Sequence, residues 1–313
     1  MKALSRRKFL ATGSMAVAAG LLDPKFSLAA SRSLPIGLQL YSVRQMLPKD
    51  FAGTLKQLAA IGYRQVEAAG FFGHSASDVR QMMTDAGIKC VSAHYSLADL
   101  LKTTDATIEY AKTLGLEYLV CSSPSAPDPE RLAKYPGGSW QGVLHALTLD
   151  DWKWNADQFN QMGRRMKIAG LKFGYHNHTG EFRNLDGSNG FQILLRDTDP
   201  AYVTLELDCG WAIASGQDPI TLLRQNPTRF SLLHVKDLKP APANSAPDKR
   251  VSTELGRGTI DYRPIFAAAK LANIRYAFIE QEDFDIPVLE ALKIDFDAMQ
   301  ALESGKPPAG TAA

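Results

Sequence analysis

Two histidines and two carboxylates, His176, Asp208, His234 and Glu280, stand at or beside the ends of four short apolar runs, 171–176, 203–208, 230–235 and 274–280. Charged side chains are almost never left buried without a partner, so acids and imidazoles placed where buried strands stop call for a shared counter-ion. Two imidazoles and two carboxylates meeting at one point form a mixed nitrogen/oxygen set. Such a set suits one divalent ion better than calcium, and no thiolate is present to force zinc. Manganese is the first choice, with iron, cobalt, zinc or magnesium as alternatives. Taken singly, Asp208 reads as a helix N-cap and His234 as a core histidine. Together with Glu280 they would bury charge with no counter-ion.

Further groups around these four can do chemistry. His178, two residues beyond His176, is a fifth ligand or an acid/base, and otherwise a solvated loop histidine. Lys236 follows His234 by two positions, where an ammonium can hold an oxyanion; the alternative is a surface lysine paired with Asp237. Glu67 and His94 end two earlier runs and bind sugar hydroxyls or move protons, unless they only orient other groups. Tyr41 ends the first run and is taken as a substrate contact, while Trp211 stacks on a sugar ring or packs in the core. The segment Glu254-Leu255-Gly256-Arg257-Gly258 reads as a tight loop over the same mouth, with Arg257 as a substrate contact. It lacks the strand-then-helix context of a nucleotide cradle.

What must position these residues is a chain in which short apolar runs alternate with longer amphipathic ones. Strands are expected at 36–41, 63–67, 88–94, 116–121, 171–176, 203–208, 230–235 and 274–280. Helices are expected at 51–61, 77–86, 97–114, 152–169, 191–196, 219–225, 262–271 and 288–302, the first four closed by Gly62, Gly87, Gly115 and Gly170. Two long loops, 122–150 and 237–260, interrupt the rhythm, and loops of that length are usually functional or disordered. Eight strand–helix units in order predict an α/β protein, a single (β/α)8 TIM barrel over 31–304, rather than a doubly wound sheet. Active sites in that fold gather at the C-terminal ends of the strands, where the candidate residues stand.

The bulk composition is ordinary for a globular protein, with 45% hydrophobic and 22% charged residues and a net charge of +2. That balance, with no run of like charges, argues against a nucleic-acid partner. Residues 1–30 differ from the rest. Ser5-Arg6-Arg7-Lys8-Phe9-Leu10, a weakly apolar stretch over 11–22 and the small residues near Ala29 and Ala30 describe a twin-arginine signal peptide. The expectation is therefore export to the periplasm, with no stable membrane association once the signal is removed. The three cysteines, Cys90, Cys121 and Cys209, lie inside apolar runs and read as buried thiols. The tail over 305–313 is rich in Pro, Gly and Ala and is expected to be disordered. A homo-oligomer is compatible with the sequence, and nothing in it marks an interface.

The strand ends Glu-Ala-Ala-Gly (67–70), Tyr-His-Asn-His (175–178), Leu-Asp-Cys-Gly-Trp (207–211), His-Val-Lys-Asp (234–237) and Phe-Ile-Glu (278–280) together resemble the xylose-isomerase-like barrel superfamily. The likeness spans essentially the whole chain after residue 30 and implies a metal-dependent enzyme acting on a small sugar or polyol. In ketose 3-epimerases of that superfamily, the fifth and eighth strands both offer glutamates that bind metal and shuttle the proton. Here the eighth strand offers Glu280 but the fifth offers His176, and His-Asn-His is similar to the His-x-His of inosose dehydratases. The leading expectation is a sugar isomerase or epimerase working through an enediolate, with Glu280 or His178 as base and the other, or Glu67, as acid. A dehydratase or lyase of a keto-polyol or keto-glycoside comes second, and a non-catalytic sugar-binding protein third. An exported enzyme rarely meets sugar phosphates, which favours a neutral substrate.

Overall fold

The computed structural model describes residues 34–133, 140–242, 244–272 and 274–304. The segments expected as a signal peptide, 1–30, and as a disordered tail, 305–313, lie outside the described residues. Eight parallel strands close into a barrel: β1 (Ile36–Gln39), β2 (Gln65–Ala68), β3 (Lys89–Ser96), β4 (Tyr118–Ser123), β5 (Lys172–His176), β6 (Val203–Asp208), β7 (Phe230–Val235) and β8 (Tyr276–Ile279). Each strand pairs with its neighbour in the chain, and β8 closes on β1. The helices are α1 (Phe51–Ile61), α2 (Ala76–Ala86), α3 (Leu97–Leu114), α4 (Pro129–Ala133), α5 (Trp140–Ala146), α6 (Leu149–Ile168), α7 (Gly190–Asp197), α8 (Cys209–Ala214), α9 (Pro219–Gln225), α10 (Tyr262–Leu271) and α11 (Val288–Glu303). This is the expected (β/α)8 barrel. None of these helices is long and apolar enough to cross a membrane.

Local chemistry explains the element boundaries. Asp50, Ser75 and Ser96 cap α1, α2 and α3 by accepting backbone N–H groups, and Thr148 with Asp151 forms a capping box on α6. Gly87 and Gly115 end α2 and α3 in the left-handed region, which costs glycine nothing. β1 stops short of its expected end because Leu40–Val43 turns into a 3-10 helix, whose start Gln39 caps with its side chain. The expected loop 122–150 carries α4 and α5, and the loop 237–260 carries a two-stranded antiparallel pair, 237–238 with 252–253.

Strand alternation then sorts the side chains. In β6, Leu205 and Leu207 point to one face of the sheet while Glu206 and Asp208 point to the other. The outward residues pack against the helices in one large core, with Leu38, Val66, Leu205 and Leu233 fully buried. A separate cluster of Val91, Tyr118, Val120, Leu232 and Phe278 comes from the strands alone and fills the barrel floor. Cys90, Cys121 and Cys209 are free and buried, as expected, and burial pushes the thiols of Cys90 and Cys121 up to about 12.

Candidate metal centre and active site

Above the apolar floor, the inward positions turn polar. Register places Asp208 beside His234 and His176 beside Glu206 on neighbouring strands. Glu280 follows β8 directly, two residues beyond the floor residue Phe278. The result is that His176, Asp208, His234 and Glu280 are all buried and each offers a donor atom within 4.8 Å of the others. His234 Nδ1 lies 2.9 Å from Glu280 Oε2 and 3.9 Å from Asp208 Oδ2. Asp208 does cap α8, its Oδ1 accepting from Trp211 N at 2.7 Å, but its buried Oδ2 has no hydrogen-bond donor. Capping and ligation therefore use different oxygens of one carboxylate. Burial pushes Asp208 up to about 6 despite Lys236 and His234 nearby, a cost that a cation at Oδ2 would relieve. The donor set fits a divalent ion.

A second layer lies directly beneath, and one of its members, Glu206, is absent from the reading of the strand ends. Glu206 is fully buried, and its Oε2 sits 2.8 Å from His94 Nε2, 3.0 Å from His176 Nδ1 and 3.3 Å from His234 Nε2. Glu67 Oε1 lies 2.7 Å from His234 Nε2 and 2.8 Å from His94 Nε2, and accepts from Gln39 Nε2 at 2.8 Å. Burial and the neighbouring Glu67 push the Glu206 carboxyl up, but the imidazoles prevail and hold it at about 2. Burial likewise opposes the ionised form of Glu67, and His94 and His234 keep it well below the usual carboxylate range. Both are anions, so each takes a ring N–H: His176 donates from Nδ1 to Glu206, and His234 from Nε2 to Glu67. Carboxylates behind ligating histidines fix which nitrogen faces the metal. His94, His176, Glu206 and His234 also lie close enough to hold an ion. Two members of each set line the cavity; the upper set is favoured because Glu206 Oε2 is already engaged by His94 and His176, whereas Asp208 Oδ2 accepts no hydrogen bond.

Lys236 is fully buried, and the pairing with Asp237 weighed for it does not form. Its Nζ lies 3.3 Å from Asp208 Oδ2, 3.0 Å from Glu280 and 2.5 Å from Glu282; it donates to Glu282 and pairs in charge with the other two. They raise its pKa against the opposing effect of burial. Lys236 thus acts on the site through Asp208 and Glu280 rather than by touching an oxyanion. Asp237 instead accepts backbone N–H groups from Gly256, Gly258 and Ile260, clamping the Gly-Arg-Gly loop. Gly210 is required by this packing, since a Cβ there would stand 2.7 Å from the Lys236 carbonyl.

The remaining expected residues divide. Tyr41, His94 and His178 line the cavity. Glu67 does not; it is fully buried against His94 and His234. Trp211 carries the Lys236 ammonium 4.2 Å over its ring and is not among the cavity-lining residues. Arg257, on the loop that Asp237 clamps, faces solvent near Glu254 and is not among the cavity-lining residues.

The cavity is about 450 Å³ and opens at the C-terminal ends of the strands. Its lining includes Asp99, Glu280 and Glu282 and, among the described residues, no lysine or arginine.

A family model described as xylose isomerase-like TIM barrel matches residues 55–302. An inosose dehydratase from Clostridium beijerinckii is 30% identical over 241 residues, 69% of this chain and 76% of that protein. One from Geobacillus kaustophilus is 26% identical over 243 residues, 71% of this chain and 76% of that one. A solved structure, a sugar phosphate isomerase/epimerase from Parabacteroides distasonis, is 26% identical with a TM-score of 0.66, covering 83% of this chain and 95% of that one.

Proposed function

The chain belongs to the family of xylose isomerase-like TIM barrels, and on that premise we propose that it is a metal-dependent isomerase or epimerase of an unphosphorylated sugar or keto-sugar. The observation that carries this reading is the buried set His176, Asp208, His234 and Glu280 at the inner end of a cavity whose described lining residues include no lysine or arginine. A phosphorylated sugar would bring its dianion against Asp99, Glu280 and Glu282, with no lysine or arginine among the described lining residues to bind it. A divalent ion, manganese first, held by the four residues would supply Lewis-acid polarisation of a carbonyl and its neighbouring hydroxyl.

This chain's own residues then move the proton. Glu280, kept ionised by Lys236 and His234 against the effect of burial, and His178, kept neutral by burial and Lys236, both line the cavity. One takes the carbon-bound proton and the other returns it. His94 faces the same space and is held up to about 9 by Glu67 and Glu206, which overcome its burial; it presents positive charge to a developing oxyanion.

A second reading, dehydration of a keto-polyol, rests on the fifth-strand histidine and on the inosose dehydratases among the relatives. Both begin with the same proton abstraction. Incubation of the metal-loaded protein with a panel of ketoses and inososes separates them by product mass: isomerisation conserves it and dehydration loses one water. Turnover of sugar phosphates in preference to all neutral sugars would refute the substrate class. Export by the twin-arginine route remains part of the proposal, supported by Arg6-Arg7; Arg6→Lys/Arg7→Lys is expected to leave the protein in the cytoplasm.

A further inference from the structure

The two halves of the barrel mouth differ in chemistry. The upper donor set comes from β5 to β7 and the residue after β8, whereas the segments following β1 and β2 and the end of β3 bring aromatic side chains to the same cavity: Tyr41, Phe71 and Tyr95. Exposure rises along the cavity, from His176 and Glu280, both buried, through half-buried Phe71 and Tyr95, to Tyr41 at 39%. A site for a single sugar ring has no use for an aromatic wall that reaches solvent. A volume of about 450 Å³ lies within the range of roughly 300–1,000 Å³ typical of drug-sized ligands.

The aromatic wall is held in place by its surroundings. Phe71 packs on Tyr110 with ring centroids 4.6 Å apart, and the Tyr110 hydroxyl donates to the His74 carbonyl at 3.0 Å. Between them the backbone passes through Gly70 (φ +122°), Phe72 (φ +52°) and Gly73 (φ +82°). A bulky residue such as Phe72 rarely adopts that conformation, and its cost is sustained only where the surroundings impose it. Phe72 packs on Phe51 instead, with centroids 6.3 Å apart, while Phe71 lines the cavity. Tyr41 is steadied by Arg44, whose guanidinium lies 4.3 Å over the ring and donates to the carbonyls of Tyr41 and Glu282.

We propose that this wall is a second subsite and that the substrate is a keto-glycoside: the reacting sugar, whose ring carbonyl acidifies the neighbouring C–H, lies at the His176/Asp208/His234/Glu280 end, and its aglycone, an aromatic group or a second sugar ring, stacks on Phe71 and Tyr41. Aromatic faces suit the apolar face of a ring, and no lysine or arginine stands among the described lining residues to favour a phosphate as the second group. The proposal rests on the sugar-enzyme reading for its reacting end, but the aromatic wall is an independent observation.

Calorimetric binding tests it, with metal content measured on the same samples. The probes are glucose and galactose, each beside its phenyl β-glycoside. At least one phenyl glycoside is expected to bind about tenfold or more tightly than its free sugar. Phe71→Ala and Tyr41→Ala should each cut that preference roughly fivefold to tenfold while leaving the free sugar unchanged. Tyr41 is exposed, so its replacement keeps the test valid if Phe71→Ala folds poorly. Equal affinities, a preference that survives both substitutions, or no binding of either glycoside overturns the proposal. A protein without metal that keeps the preference refutes the metal-enzyme reading and leaves the subsite standing. A metal-loaded protein without the preference does the reverse.

Discussion

Replacing Glu206 by Gln removes one buried charge at nearly constant volume and tests whether the layer beneath the metal set controls it. In the wild type, Glu206 Oε2 takes the Nδ1 proton of His176 at 3.0 Å and so leaves the other ring nitrogen for an ion. The same oxygen lies 2.8 Å from His94 Nε2 and 3.3 Å from His234 Nε2. An amide can still accept a hydrogen bond, but it has no charge, and its NH₂ would face an imidazole nitrogen. A hydrogen bond to a charged group contributes roughly 1.5–3 kcal/mol. Loss of a carboxylate behind a ligating histidine typically costs about 10–100-fold in metal affinity, equivalent to about 1.4–2.7 kcal/mol. The two estimates agree, so Glu206→Gln should weaken metal binding by about 10–100-fold. Competition against a chromogenic chelator at pH 7 measures it, with circular dichroism to show that the barrel is intact. An affinity within about threefold of wild type, in a folded variant, would refute the positioning role. A loss beyond roughly ten-thousandfold would make Glu206 a ligand itself and shift the ion into the lower set.

Other consequences follow from the same geometry. Lys236→Met leaves Asp208, Glu280 and Glu282 without their shared cation; urea unfolding should show a loss of about 3–5 kcal/mol in the metal-free protein, and an unchanged midpoint would contradict the pairing. Gly210→Ala forces a Cβ against the Lys236 carbonyl and should cost about 1–3 kcal/mol together with weaker metal binding, because α8 can no longer seat Asp208; full stability would show that the packing relaxes freely. Asp295, pushed up to about 8 by burial and by Glu254 and Asp237, keeps a proton in the folded state that the unfolded chain releases above about 4. Its contribution to stability is therefore present below about pH 4 and is lost as pH rises toward 8, so Asp295→Asn should gain on wild type in unfolding free energy between pH 5 and pH 8. A difference between the two proteins that stays constant across that range would rule this out.

The barrel was legible because its strands and helices carry different periods, and glycines and capping residues mark most helix ends. Asp208, His234, His176 and Glu280 were legible because each interrupts or ends an apolar run. Glu206 was not, since attention to strand ends passes over a residue two positions earlier. The alternation Glu206-Leu207-Asp208 held the signal, because a residue two before an inward ligand also faces inward. Lys236 and Asp237 show the limit of reading neighbours as partners. Adjacent strand residues point to opposite sides, so the lysine meets carboxylates inside the barrel while Asp237 turns to the Gly-Arg-Gly loop. The placement of Arg257 was not legible either: where its loop is clamped depends on a contact 20 residues back in the chain, from Asp237. The aromatic wall has no local signature, since Tyr41, Phe71 and Tyr95 meet only when β1, β2 and β3 are side by side.

The central claim is that His176, Asp208, His234 and Glu280 form one metal centre. Metal analysis of the folded protein, beside His176→Ala/Asp208→Ala, tests it most directly. About one equivalent of manganese, iron, cobalt or zinc, retained through desalting and lost in a variant that still folds, is the predicted result. No metal in the wild type after reconstitution, or an undiminished equivalent in the double variant, would contradict it.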